Sequence, residues 1–135
     1  MFLLGQTVGK YQVLANLGSG GFGTVFLARD TWIDKKVAIK VPHRQTGDAD
    51  ELLQEPRLLA ALDHPNIVGI LTAERVDGTF FIVMEYVKGE SLEAVLDREK
   101  SLDNARALNY AVQILKGVEH AHEAQILHRD LRPAN

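Results

Sequence analysis

The sequence predicts an α+β fold: a five-stranded antiparallel sheet with one helix inserted after the third strand, then two further helices. Three observations carry this expectation. The first third of the chain alternates β-branched and aromatic segments with glycine-rich turns. A run with leucines at helical spacing follows it. Beyond Glu85, two segments of helical period each open behind a capping residue.

Tyr11–Leu17 reads as the first strand, ended by Gly18, Gly20, Gly21 and Gly23. Thr24–Ala28 is the second, and 30–36 a turn with Trp32 packing over it. Val37–Val41 is the third. Its alternation sets Val37, Ile39 and Val41 on one face and Ala38 and Lys40 on the other. From Asp48 to Leu62, Leu52, Leu53, Leu59 and Leu62 follow a helical period, with acidic residues early, as the helix dipole favours. Pro56 interrupts this helix. Its ring clashes with the Leu52 carbonyl at a cost of roughly 3 kcal/mol, so the helix is expected to kink there or to begin near Glu55. Ile67–Glu74 and Phe80–Met84 are the last two strands, joined at Asp77-Gly78, a hairpin dipeptide. Ser91 caps a short helix, Leu92–Arg98. Asp103 caps a long one, about Ala105–Glu123, with Leu108, Ala111, Val112, Leu115, Val118 and Ala121 along one face.

Composition narrows the function classes. The 135 residues are 46% hydrophobic and 24% charged, which suits one folded domain rather than a disordered chain. Fifteen basic residues against 18 acidic ones leave no cationic excess for general nucleic-acid binding. Without cysteine there is no disulfide, thiolate zinc site or cysteine nucleophile. No apolar run approaches a membrane span, and the opening Met-Phe-Leu-Leu is too short for a signal peptide. A cytoplasmic location without membrane contact is the expectation. His120, His122 and His128 do not form a metal pattern, since positions two apart on a helix face different ways.

Three motifs carry chemistry. Gly18-Ser19-Gly20-Gly21-Phe22-Gly23-Thr24-Val25 contains G-x-G-x-x-G, whose glycines let backbone N–H groups approach phosphate oxygens. A strand-like segment follows it, so it is not a dinucleotide fingerprint, which a helix must follow. No Gly-Lys-[Ser/Thr] makes it a P-loop. A strand–turn–strand flap over phosphates remains. Lys40, mid-strand, can hold phosphates if a carboxylate fixes its position, and Glu55 is the candidate, with Glu51 one turn earlier. Such a pair at 4 Å is worth up to about 4 kcal/mol at an effective dielectric near 20. Finally, His128-Arg129-Asp130 and Asn135 set a carboxylate that can accept or orient a hydroxyl proton five residues before an amide oxygen that can bind a divalent cation.

In this order the motifs resemble the eukaryotic-type protein kinase family, most of all its bacterial serine/threonine members. GSGGFGTV is followed by VAIK (37–40), the acidic helix with Glu55, HPNIV (64–68), VMEYVKGESL (83–92) and HRDLRPAN (128–135). The resemblance implies a protein-kinase-like small lobe and hinge over about 9–86 and the first helices of a large lobe over about 87–135. It implies ATP and Mg2+ as cofactors and a protein substrate. Leu17, Val25 and Ala38 would enclose adenine, and Gly18, Ser19, Gly20, Gly21, Phe22, Gly23 and Thr24 would cover the phosphates. Lys40 would hold the α- and β-phosphates and pair with Glu55. Met84 would close the back of the pocket, the backbones of Glu85 and Val87 would bind adenine, and Ser91 would approach the ribose. Asp130 would be the catalytic base and Asn135 a magnesium ligand, and Arg129 suggests control by a phosphorylated activation loop.

Two departures qualify the resemblance. Arg132 stands where such kinases usually carry a lysine, and its planar fork is not a point ammonium. The Asp-Phe-Gly segment, with the second magnesium ligand, belongs about a dozen residues beyond Asn135. The expectation is therefore a kinase fragment inactive alone. The alternative is a non-catalytic nucleotide-binding or kinase-interacting module, with a homodimer or a kinase partner covering the exposed helix face.

Overall fold

The computed structural model describes residues 2–45 and 49–135, the side chains of residues 49 and 55 excepted. Two compact units are present: residues 1–61 with 68–86, and residues 62–67 with 87–135.

The first unit is a six-stranded sheet. Its strands are β1 (Thr7–Val8), β2 (Tyr11–Gly20), β3 (Gly23–Asp30), β4 (Lys35–Pro42), β5 (Ile70–Val76) and β6 (Thr79–Glu85). The order is β1-β2-β3-β4-β6-β5, antiparallel throughout. The five expected strands are all there, and the two-residue β1 adds a sixth at the edge by folding back onto Tyr11 and Gln12. Between β4 and β5 lies α1 (Ala49–Ala60), which packs against β5.

Directly opposed residues of an antiparallel pair share a face. Tyr11, Val13, Phe26, Ala28, Val37, Ile39, Phe81 and Val83 form one buried cluster, joined by Val8 and by Phe2 from the N-terminal segment. Phe81 sits at its centre, with the Phe2 and Tyr11 rings edge-on at 5.6 and 5.9 Å. The sheet curls enough for the Tyr11 hydroxyl, on β2, to donate to Glu74 Oε1, on β5, at 2.7 Å. Burial, then the Glu74 hydrogen bond and charge, push the Tyr11 phenol well above its ordinary value.

Several local expectations are corrected. β2 does not stop at Leu17 but runs to Gly20, because Gly18, Ser19 and Gly20 keep pairing with Val25, Thr24 and Gly23. Only Gly21-Phe22 is turn. α1 neither begins near Glu55 nor ends at Leu62; it runs through Pro56. The proline ring is buried there, and burial offsets the lost backbone hydrogen bond. Asp48, where the helix was expected to start, lies outside the described residues. Trp32 does not pack over its turn: it is 81% exposed, with the Lys10 ammonium 5.3 Å from its ring centre. The Asp77-Gly78 hairpin forms as expected, with φ of 48° and 79° at the two residues.

The turn after β3 is held instead by Asp30. Its buried carboxylate takes Lys10 Nζ at 2.9 Å and the N–H groups of Trp32 and Ile33. Burial pushes this carboxyl up, but the Lys10 and backbone hydrogen bonds outweigh it and hold it below the usual carboxylate value. A depressed folded value stabilises above the unfolded one and is lost as pH falls through the folded one. Asp30→Asn is therefore expected to lower the Tm at pH 7 and to make it fall less steeply below about pH 4. Thermal melts of both proteins from pH 7 to 3 test this; parallel Tm profiles would contradict it.

The second unit carries α2 (Leu92–Glu99) and α3 (Asn104–Glu123). Both expected caps form: Ser91 Oγ accepts from the Ala94 N–H and Asp103 Oδ1 from the Arg106 N–H. Asn66 Nδ2 donates to Gln113 Oε1, and the His64 and His120 rings stack with centroids 5.1 Å apart. His120 is thus a packing residue. Among the described residues no group of His, Asp and Glu could hold a metal, and no helix is long and apolar enough to cross a membrane. Leu108 and Leu115 of α3 are about two-thirds exposed.

Candidate nucleotide and catalytic-loop residues

The residues singled out in the sequence divide between the two units, and each half has its own geometry. In the first unit, strand alternation decides the matter. Val25 opposes Lys40, Leu27 opposes Ala38, Ala38 opposes Met84 and Lys40 opposes Ile82. All lie on the face opposite the Phe81 cluster. Lys40 and Val25, two residues past Gly23 on β3, therefore share one face of the sheet. Ala38 is buried, and Val25, Lys40 and Met84 are half-buried. Leu17, in the irregular stretch of β2 between Asn16 and Gly18, is exposed.

The side chain of Glu55 lies outside the described residues; its backbone is within α1. Glu51 pairs with Arg44 at 3.0 Å.

The glycine string forms a β-hairpin with Phe22, 76% exposed, at its tip. A Cβ built on Gly18, Gly20 or Gly21 meets nothing within 4 Å. These three glycines leave room on the hairpin for a ligand, as a phosphate cradle requires. Gly23 differs: its Cβ would lie 2.5 Å from the Val41 carbonyl oxygen and 3.0 Å from Pro42 Cα. Here glycine serves the approach of β4. Ser19 and Thr24 bond to each other, Oγ to Oγ1 at 2.9 Å. Thr24 is buried on the face opposite Val25, so its side chain is not among those on the Lys40 face.

Two features of this half gave no sequence signal. Glu85 Oε1 accepts the Gly69 N–H at 2.7 Å while the Glu85 N–H donates to the Gly69 carbonyl at 3.0 Å, which fixes the end of β6. Past β4, His43 donates its backbone N–H to Phe22 O at 3.2 Å, and its Nε2 lies 2.8 Å from Gly20 O. These contacts span 16 to 23 residues and carry no local pattern.

In the second unit, residues 128–135 form a tight polar loop. Arg129 has φ of 63°, a left-handed conformation that is costly for a side chain with Cβ. The Asp130 N–H donates to His128 Nδ1 at 3.2 Å. Asn135 Nδ2 donates to the Asp130 carbonyl at 2.6 Å and to its Oδ2 at 3.2 Å. Arg132 Nε lies 3.3 Å from the same Oδ2. The loop thus brings Asp130, Arg132 and Asn135 together. Val87 is exposed, and Ser91 spends its hydroxyl oxygen on the α2 cap.

A family model described as a protein kinase domain matches residues 11–135. The chain belongs to this family. It is 38% identical to the serine/threonine-protein kinase PrkC of Bacillus subtilis (strain 168) and 40% identical to the serine/threonine-protein kinase pkn3 of Myxococcus xanthus, in each case over 98% of its length. It spans 21% and 25% of those two proteins. The crystal structure of the Mycobacterium tuberculosis PknI kinase domain superposes with a TM-score of 0.77 at 28% identity, covering all of this chain and 57% of that one. The expected kinship with bacterial serine/threonine kinases holds, and so does the small-lobe fold.

Proposed function

We propose that residues 1–135 supply the nucleotide-binding half and the catalytic loop of an ATP-dependent protein serine/threonine kinase. In this reading about 9–86 is the small lobe and hinge, and about 87–135 the start of the large lobe. The observation that supports it most is the strand register: Val25, Ala38, Lys40 and Met84 line the face away from the core, beside a glycine hairpin open at Gly18, Gly20 and Gly21.

When bound, MgATP supplies the transferable phosphoryl group. Val25, Ala38 and Leu17 offer apolar surface to adenine, and the Glu85 and Val87 backbones offer polar groups. Lys40 contributes positive charge for the phosphates. Asp130 orients a substrate hydroxyl and accepts its proton, and Asn135, held by its amide nitrogen against Asp130, would hold magnesium through its amide oxygen. Arg132 keeps a cation beside Asp130, in the role a lysine has elsewhere in the family.

NMR titration of the chain with MgATP tests this. Weak binding is expected, with shift changes concentrated at Gly18–Gly23, Ala38, Lys40 and Met84. Changes confined to other residues would refute the assignment. Phosphoryl transfer to a general protein substrate is expected to stay at background both for the chain and for Asp130→Asn. Transfer by the chain that vanishes in the variant would mean that these residues suffice for chemistry.

A second reading, a non-catalytic kinase-interacting module, is favoured by the exposed Leu108 and Leu115 on α3. Light scattering separates the two readings: self-association that Leu115→Glu abolishes supports the module, and a monomer supports the first.

A further inference from the structure

We infer that His43 is a positioning residue for the glycine hairpin, acting as a clamp that aims the turn's backbone N–H groups. For its effect on ligand this inference rests on the nucleotide reading above. The Gly20 carbonyl oxygen can only accept, so the 2.8 Å contact makes His43 Nε2 the donor, a role open to both the imidazolium and the Nε2–H tautomer. The His43 backbone N–H holds the carbonyl of Phe22 as well. One residue therefore grips the peptide groups on both sides of the Gly21-Phe22 turn.

The consequence is directional. No peptide bond in the described chain is cis. Across a trans peptide the carbonyl and the following N–H point in opposite directions. With the Gly20 carbonyl turned to His43, the Gly21 N–H points away from it. A Cβ on Gly21 would meet nothing within 4 Å, so nothing in the chain crowds this position. With glycine on both sides, the Gly20–Gly21 peptide could otherwise rotate at little steric cost. The clamp removes that freedom before a ligand arrives, so less ordering entropy opposes binding.

The clamp has a fixed base. Two residues on, Gln45 Nε2 donates to Pro42 O at 2.7 Å and to Phe80 O at 3.1 Å, and its Oε1 accepts the Phe80 N–H at 2.7 Å. The side chain replaces a strand neighbour for Phe80 and ties the segment after β4 to β6. His43 thus reaches the hairpin from a segment anchored to the sheet.

The test uses the whole chain as wild type, His43→Ala and His43→Gln. The alanine removes only the side-chain bond, and glutamine restores a donor at a similar reach. In the nucleotide-free proteins, 15N order parameters of Gly20, Gly21 and Phe22 are expected to fall in His43→Ala and to recover in His43→Gln. In parallel titrations, His43→Ala is expected to weaken MgATP binding about five-fold, the worth of one hydrogen bond, and to leave adenosine binding unchanged. Unchanged order parameters in His43→Ala would overturn the clamp. Equal losses for MgATP and adenosine would overturn its action on phosphates. A wild-type chain that binds neither ligand would overturn the nucleotide reading instead, and the order parameters would still decide the clamp.

Discussion

Lys40→Met is expected to weaken MgATP binding about 10- to 100-fold and to leave adenosine binding within two-fold. The magnitude is that of one hydrogen bond to a charged group, roughly 1.5–3 kcal/mol. The selectivity comes from the register. Lys40 is directly opposed to Val25 and lies two residues beyond Ala38 on the same face, where Ala38 pairs with Leu27 and Met84. An adenine against Ala38 and Met84 would be untouched by the substitution, whereas phosphates beside the hairpin would lose their cation. Methionine keeps the apolar stem, so packing of the strand is preserved. Calorimetric titration of both ligands into both proteins measures the difference. If the two affinities fall together, Lys40 supports the fold of the site and not the phosphates.

The placement of Lys40 was legible because it depends on a period of two over five residues. Val37, Ile39 and Val41 have one apolar face to bury, and a strand then has no choice about where Ala38 and Lys40 stand. The caps at Ser91 and Asp103 were legible for a similar reason, since each satisfies N–H groups three residues away. What escaped was either a compensation or a contact between distant segments. Glycine was read as breaking β2, but Gly18 and Gly20 continue the ladder because partners on β3 supply hydrogen bonds that propensity does not count. Pro56 predicts either a kink or a helix start near Glu55, but α1 begins earlier and runs through it with the proline ring buried. Trp32 was read as packing residue by type alone, and the local pattern said nothing of the Asp30 carboxylate that takes over the turn. The grips of His43 on Gly20 and of Gln45 on Phe80 span 23 and 35 residues, and no local pattern encodes them.

The glycines of the hairpin look alike in sequence but carry different duties, and a pair of alanine substitutions separates them. Gly23→Ala is expected to destabilise the fold by about 1–3 kcal/mol, the usual range for forcing an extra group into a packed site. Its Cβ would stand 2.5 Å from the Val41 carbonyl oxygen and 3.0 Å from Pro42 Cα, both backbone atoms of a paired strand that cannot swing aside like a side chain. The φ of 159° at Gly23 adds little by itself, since it lies at the margin of extended backbone. Relief requires β3 and β4 to part where they are paired, close to the His43 contacts. Gly20→Ala meets no atom within 4 Å and is expected to leave the Tm within about 2 °C, a change well under 1 kcal/mol. Its effect appears on ligand: a methyl group on the open hairpin reduces MgATP affinity and spares adenosine. Melting curves with paired titrations distinguish the cases. A Gly20→Ala protein as unstable as Gly23→Ala would mean that the hairpin glycines serve the fold alone. A stable Gly23→Ala would mean that β4 yields at Val41.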